Sequence, residues 1–150
     1  MTTPPLFRYY LRVRYQECDA QHVVFNARYG DYIDLAITEF MKASMPDRNV
    51  FDGTFEFQVV KQTTEWKSPA RFDDVLEITS EVTKLGNSSF TVRNEIRKAG
   101  SEPVLVTADT VYVHVDNATW RPKPLADLVR QRFSAGARGM RVDHAGWLNR

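Results

Sequence analysis

The residues best suited to chemistry lie in residues 15–41, where a short irregular turn leads into the longest helical pattern of the chain. The turn holds Asp19, a carboxylate that can serve as a nucleophile or a general base. The helix that follows offers unpaired backbone N–H groups and the positive end of its dipole at its first turn. Such N–H groups can hold a carbonyl oxygen beside the carboxylate, and this arrangement suits attack on an activated acyl group.

Several residues of this stretch have alternative roles. Asp19 could instead cap a turn or the start of the helix, as aspartate often does. His22 could assist proton transfer, hydrogen-bond a substrate, or only fix a backbone turn. Cys18 and His22 suggest a Cys/His nucleophile, but adjacent Cys18 and Asp19 would point apart in an extended segment. Asp34, next to the apolar stripe of the helix, is the second candidate for a catalytic carboxylate.

The elements that position these residues follow from hydrophobic periodicity. Residues 7–15 alternate apolar and polar side chains, which predicts a half-buried strand. From Asn26 the period changes to three and four, which predicts a helix with Asn26 as its N-cap and Pro46 at its end. Gly30 within this helix is either simply tolerated or allows a ligand or strand to approach closely. The predicted buried stripe is apolar: Tyr29, Ile33, Ala36, Ile37, Phe40 and Met41.

The rest of the chain predicts a sheet. Four further strands follow in hairpin-like succession, over residues 55–66, 75–84, 90–97 and 103–116. This order indicates an α+β fold in which an antiparallel sheet packs on a buried helix. The last of these strands is apolar on both faces, which is typical of a strand covered on both sides, so a second subunit could supply one cover.

Length and composition narrow the class of protein. The 150 residues predict one domain over residues 1–133, followed by a C-terminal tail over residues 134–150. A formal net charge of +1 favours neither a nucleic acid nor a membrane as partner. The single cysteine, the missing apolar core of a signal peptide and the lack of a membrane span predict a cytoplasmic location. Scattered histidines predict no metal site.

Two separated motifs carry a family resemblance. The first is DAQHVVFNARY, at residues 19–29, which runs into the amphipathic helix. The second is SPARFDDVLEITSEVTKLGNSSF, at residues 68–90. Both resemble the hotdog-fold acyl-CoA thioesterases, and the similarity extends over residues 8–125. Within that family the chain is most similar to the 4-hydroxybenzoyl-CoA thioesterase branch, which includes the Tol-Pal-associated acyl-CoA thioesterases.

The resemblance implies a fold, an activity and an assembly. The fold would be a five-stranded antiparallel sheet wrapped around one long central helix, with two subunits paired into a continuous sheet. The activity would be hydrolysis of an acyl-CoA thioester to a free acid and coenzyme A. Coenzyme A would then be part of the substrate and product, and no bound cofactor is expected. The assembly would be a homodimer or homotetramer.

The resemblance also assigns residues. Asp19 falls at the catalytic aspartate, and the Asn26 backbone N–H at the group that polarises the carbonyl, with His22 as a third catalytic candidate. Relatives often have His or Tyr at position 26, which leaves the N–H in place but puts a side-chain role in doubt. The implied substrate contacts are Tyr29, Trp66, Pro69, Lys84, Ser88 and Ser89, the last three as phosphate-binding groups.

Two other functions stay open at this stage. A hotdog dehydratase or hydratase would need a positioned histidine as acid and base, and His22 would have to serve. A non-catalytic acyl-binding or partner-binding module needs no such group, because a fold alone does not specify chemistry. Asp19 ahead of a helix favours hydrolysis over pure binding.

Overall fold

The computed structural model describes residues 2–150, which form one six-stranded sheet and two helices. In chain order the elements are strand β1 (Phe7–Arg12), a 3₁₀ turn (Tyr15–Glu17), helix α1 (Arg28–Ser44), strands β2 (Glu56–Trp66), β3 (Val75–Leu85), β4 (Ser89–Lys98) and β5 (Val104–Val115), helix α2 (Asp127–Ala135) and strand β6 (Arg141–Asp143). The sheet order is β2-β5-β4-β3-β1-β6. The predicted α+β architecture is therefore confirmed, with one strand more than the five expected.

Helix α1 lies against the sheet through the predicted apolar stripe. Its buried residues are Tyr29, Tyr32, Ile33, Ala36, Ile37, Phe40, Met41 and Ser44. The predicted N-cap is wrong: the helix begins at Arg28 and Ala27 is the cap, without a side-chain hydrogen bond. The reason is that the Arg28 N–H donates to the Phe25 carbonyl at 2.8 Å, so backbone atoms close the first turn.

Strand β1 is shorter than the alternation predicted. It ends at Arg12 and not at residue 15, because Tyr15–Glu17 winds into a 3₁₀ turn. β1 pairs antiparallel with β3, with Arg12 opposite Val75. The Val13 N–H donates to the Asp74 carbonyl at 2.9 Å, so the turn that follows β1 is held at the start of β3.

The C-terminal residues pack on the sheet. Phe133 of α2 is buried against the ring of Phe90, with centroids 4.9 Å apart. Strand β6 adds to β1 in parallel, and the Tyr9 hydroxyl forms a 2.9 Å hydrogen bond with His144 Nδ1. That the domain ends at residue 133 stays a prediction. A chain truncated there would lose the pairing of β6 with β1 and the hydrogen bond of His144 with Tyr9, and it would lose the end of α2.

Strand β2 is an edge strand whose one neighbour among the described residues is β5. Its Val59, Val60 and Trp66 side chains are each more than half exposed. On β5, Val106, Ala108 and Tyr112 are buried, whereas Leu105, Val111 and Val113 are only half-buried. The sheet therefore leaves apolar surface uncovered at and beside the β2 edge.

Candidate active site

Asp19 lies in a closed loop between the 3₁₀ turn and α1. Its N–H donates to the Val23 carbonyl at 2.9 Å, and the His22 N–H donates to the Asp19 carbonyl at 3.0 Å. The Gln21 N–H donates to Asp19 Oδ1 at 2.8 Å. Asp19 therefore does fix a turn, as its structural role predicted. Its second oxygen, Oδ2, accepts no hydrogen bond from residues 2–150, so it is available to a ligand.

The end of the same loop supplies a backbone donor. Asn26 is exposed and precedes the cap residue of α1 by one position. Its N–H has no hydrogen-bond acceptor within the described chain. Its carbonyl accepts a hydrogen bond from Trp66 Nε1 at 3.3 Å, which ties this peptide to the end of β2. An unpaired N–H at a helix start is a suitable partner for a developing oxyanion.

One cavity of about 570 Å³ brings most of the predicted site together. Its wall contains Asp19, Asn26, Tyr29, Trp66 and Pro69. These residues come from four segments, which are the closed loop, α1, the end of β2 and the β2–β3 connection, and the fold brings them to one end of the sheet. The same loop and connection add the rest of the lining, which is polar at Gln21, Lys67 and Ser68 and apolar at Val23, Val24 and Phe25.

Tyr29 links α1 to the wall of this cavity. Its hydroxyl accepts a hydrogen bond from the Ala70 N–H at 3.0 Å. Burial raises the pKa of Tyr29, with the Ala70 hydrogen bond acting in the opposite direction. The phenol therefore stays protonated at neutral pH and keeps a proton that it can donate.

His22 lies on the other side of Asp19. It lines a second cavity of about 530 Å³, whose wall also contains Asp19, Tyr15, Cys18 and Phe72. The backbone of His22 is left-handed, with φ of 66°, which fits the turn-forming role. Within the described residues, its ring makes no hydrogen bond to Cys18 or Asp19.

Cys18 does not have the properties of a nucleophile. It is half-buried, and its Sγ lies 3.8 Å from the Arg14 carbonyl oxygen. Burial and the neighbouring carboxylates raise the pKa of the thiol. Since the thiolate is the reactive form, little of it is present at neutral pH.

Lys84, Ser88 and Ser89 lie at the opposite end of the sheet. Strand β3 starts at Val75, next to the Asp19 loop, and ends at Leu85, which pairs with Phe90. At roughly 3.3 Å per residue, these ends are about 30 Å apart. Within one chain, the predicted phosphate-binding residues therefore do not converge with Asp19.

Asp34, the second candidate carboxylate, is exposed. It lines a separate cavity of about 240 Å³ together with Tyr112 and Phe55. Asp34 does not reach the cavity that contains the Asn26 N–H. Of the two candidate carboxylates, Asp19 is therefore the one that lines the same cavity as Asn26.

Sequence reasoning missed Glu17, whose side chain is buried two residues before Asp19. Its carboxylate accepts hydrogen bonds from the Arg14 N–H at 2.7 Å, from Arg14 Nη2 at 2.8 Å and from the Tyr32 hydroxyl at 2.9 Å. Burial alone would raise the pKa of Glu17, but these bonds hold it below its ordinary value. Tyr32 could have indicated such a residue in the sequence, because a tyrosine on the buried side of a helix needs a hydrogen-bond partner for its hydroxyl.

Two further properties of the described chain concern metal binding and membrane spans. Among residues 2–150, no group of histidine, cysteine and carboxylate side chains is placed to hold a metal ion. Neither helix in that range has the length and apolar character needed to cross a membrane.

Comparison with known proteins identifies the family. The sequence matches the thioesterase-like superfamily over residues 13–133. Acyl-CoA thioester hydrolase YbgC of Escherichia coli is 32% identical over 129 residues, which are 85% of this chain and 96% of that protein.

Solved structures agree with the sequence match. A hypothetical protein of Aquifex aeolicus, AQ1494, superposes with a TM-score of 0.76 at 26% identity, covering 85% of this chain and 98% of that one. The PA5185 protein of Pseudomonas aeruginosa, at 20% identity, shows the same fold with a TM-score of 0.79 and coverages of 92% and 99%. These matches confirm the resemblance seen in the two motifs, the hotdog fold and the enzyme class, a thioester hydrolase. The chain therefore belongs to the thioesterase-like superfamily of hotdog-fold proteins.

Proposed function

We propose that this protein hydrolyses acyl-CoA thioesters to a free acid and coenzyme A. The observation that carries the proposal is that one cavity is lined both by Asp19, whose Oδ2 is unpaired among residues 2–150, and by Asn26, whose N–H is unpaired in the same range. The E. coli relative bears the name acyl-CoA thioester hydrolase, which supports the same substrate class.

Two routes use this geometry. In the first, Asp19 Oδ2 attacks the thioester carbonyl, the C–S bond breaks with release of the coenzyme A thiol, and water hydrolyses the resulting mixed anhydride. In the second, Asp19 takes a proton from a water that attacks the carbonyl, the C–S bond of the tetrahedral intermediate then breaks, and the departing coenzyme A thiolate takes up the proton to leave as the thiol. In both, the Asn26 N–H and the dipole of α1 stabilise the oxyanion, and one such donor can contribute about 3 kcal/mol.

The cavity walls and the far turn have different roles in this proposal. Tyr29, Trp66 and Pro69 contact the part of the substrate that flanks the thioester. Lys84, Ser88 and Ser89 are too far from Asp19 of their own chain, so they would contact the coenzyme A phosphates of substrate bound at a neighbouring subunit. His22 stays a candidate for proton transfer, from the second cavity beside Asp19.

Assembly is the second part of the proposal. We infer at least a homodimer, in which the β2 edge of one subunit pairs with that of another to continue the sheet. The exposed Val59 and Val60 on an unpaired edge support this, since exposed apolar edges are otherwise prone to aggregation. Light scattering after size exclusion at micromolar concentration is expected to show no dominant monomer. A monomer that still hydrolyses thioesters would contradict the inferred dimer.

We also propose a cytoplasmic location, which the free Cys18 supports.

A panel of acyl-CoA thioesters, with thiol release as readout, tests the function. A hydrolase releases thiol from at least one member of the panel. A dehydratase or hydratase would alter the acyl group without releasing thiol, and a binding module would do neither. Among residues 2–150 the His22 ring makes no hydrogen bond to Asp19 or Cys18 that would hold it in place as the acid and base of a dehydratase, so we expect thiol release.

A further inference from the structure

Glu17 contacts both ends of the loop that contains Asp19. Its backbone carbonyl accepts the Phe25 N–H at 2.9 Å, and Phe25 directly precedes Asn26. Its carboxylate accepts the Tyr32 hydroxyl of α1 at 2.9 Å. One residue therefore joins the start of the loop, the end of the loop and the first turns of the helix.

The burial of this carboxylate calls for a reason. Glu17 is 5% exposed, and a buried carboxylate is strongly unfavourable unless it is paired and hydrogen-bonded. Arg14 supplies the charge: its Nε and Nη2 donate to Oε2 at 3.1 and 2.8 Å, while its backbone N–H donates to Oε1 at 2.7 Å. The interaction thus closes the 3₁₀ turn immediately ahead of Asp19.

Hydrogen bonds to neighbouring segments also hold this loop: the Val24 N–H donates to the Ala70 carbonyl at 2.9 Å, and Trp66 Nε1 donates to the Asn26 carbonyl at 3.3 Å. Gln21, His22, Phe25 and Asn26 are exposed, and Val24 is the residue between Asp19 and Asn26 that is buried. The placement of the carboxylate relative to the donor N–H therefore depends on hydrogen bonds rather than on packing. An error of about 1 Å in such a placement can lower a rate roughly a hundredfold.

We propose that Glu17 is a positioning residue that sets the separation of the Asp19 carboxylate from the Asn26 N–H. It holds the Asp19 side of the loop through its place in the 3₁₀ turn and the Asn26 side through the Phe25 N–H. The Tyr32 hydroxyl fixes both to α1. This inference rests on the proposed function for its kinetic consequence, but the rigidity of the loop is independent of it.

The chain offers a matched pair of variants. Tyr32→Phe removes the hydroxyl that donates to Glu17, and Tyr10→Phe removes one that donates to Glu77 Oε2, also at 2.9 Å. Tyr32 and Tyr10 are 1% and 3% exposed, so both changes delete a tyrosine–glutamate bond at a buried ring. We expect Tyr32→Phe to lower kcat about tenfold with KM within about twofold, and Tyr10→Phe to leave both within about twofold.

Hydrogen exchange gives a readout that needs no turnover. We expect the amides of residues 19–26 to exchange about tenfold faster in Tyr32→Phe and at the wild-type rate in Tyr10→Phe. If the wild-type protein hydrolyses no thioester, the proposed function fails, whereas the exchange rates still test the positioning role. Unchanged exchange in Tyr32→Phe overturns the inference, and so does equal kcat in the two variants of an active enzyme.

Discussion

The two ends of the sheet differ in how their backbone groups are bonded. At the Asp19 end, a carboxylate oxygen and the Asn26 N–H have no partner within residues 2–150. At the β3–β4 turn, Arg130 Nη2 donates to the carbonyls of Gly86 and Asn87 at 2.7 and 2.9 Å. At the β3–β4 turn the protein itself supplies the partners of these backbone groups, whereas the Asn26 N–H stays available to a ligand, so the Asp19 end is the better candidate for chemistry.

The largest effect that this comparison predicts is the loss of activity at Asp19. Asp19→Asn keeps the size and much of the turn-forming ability but removes the charge, so kcat should fall by roughly two or more powers of ten. Asp34→Asn is the matched control, since Asp34 is exposed and lines a different cavity. Steady-state thiol release and a thermal melt check both variants. A larger loss in Asp34→Asn would move the catalytic carboxylate to the helix, and an unfolded Asp19→Asn would make the turn role of Asp19 the dominant one.

The sequence predicted the elements at the Asp19 end of the sheet because the signals for those elements are local. The change from a turn to a period of three and four marked the start of α1 close to Asn26, and the motif placed Asp19 before it. The bonds of Glu17 to Tyr32 span fifteen positions, and the closing of the Arg28 N–H on the Phe25 carbonyl depends on the loop conformation. Neither follows from periodicity.

The separation of Lys84, Ser88 and Ser89 from Asp19 was harder to predict, for a different reason. Alternation shows which residues share a face of a strand, but it does not show that one strand separates two groups of site residues. Lys84 and Val75 lie in one continuous strand, so the distance between the ends was implicit in the length of β3. What the sequence of one chain does not contain is the arrangement of neighbouring subunits.

A second, smaller effect concerns Lys84, at the opposite end of the sheet from Asp19. We expect Lys84→Ala to raise KM for an acyl-CoA several-fold and to change kcat by less than about twofold, because it removes binding and not chemistry. The same variant should have a normal KM for an acyl-pantetheine, which lacks the nucleotide phosphates. Parallel titrations of the two substrates check this. A drop in kcat with acyl-pantetheine would mean that Lys84 acts on the reacting atoms and that the comparison of the two ends is wrong.

Because Glu17 is buried, we expect the stability of the protein to depend on pH. Its pKa is lowered in the folded protein, because the bonds from Arg14 and Tyr32 outweigh the effect of burial. A lowered pKa contributes stability that is complete above the unfolded value of about 4.3 and is lost as pH falls through the folded value. Urea unfolding from pH 7 to pH 3 should show this loss. Glu17→Gln should be less stable at pH 7 and should show a shallower decline in acid, and a parallel decline would exclude Glu17 as a cause.

The smallest effect concerns Gly30, in the first turn of α1. A Cβ added there meets nothing within 4 Å, so Gly30→Ala should stabilise the protein by about 0.5–1 kcal/mol. Gly53→Ala is the contrasting change, because a φ of 93° strains any residue with a Cβ, and it should destabilise by about 1 kcal/mol. Thermal melts give both signs. A raised KM in Gly30→Ala would show that a ligand approaches this glycine closely, in place of simple tolerance.

The most direct test of the account uses an acyl-pantetheine thioester, which isolates the reacting group from the phosphates. Single-turnover thiol release is measured for Asp19→Asn and for a variant in which Lys84, Ser88 and Ser89 are all alanine. We expect the first to be slower than the wild type by roughly two or more powers of ten and the second to remain within about twofold. Near-normal release by Asp19→Asn, with loss in the triple variant, would contradict the assignment of chemistry to the Asp19 end of the sheet.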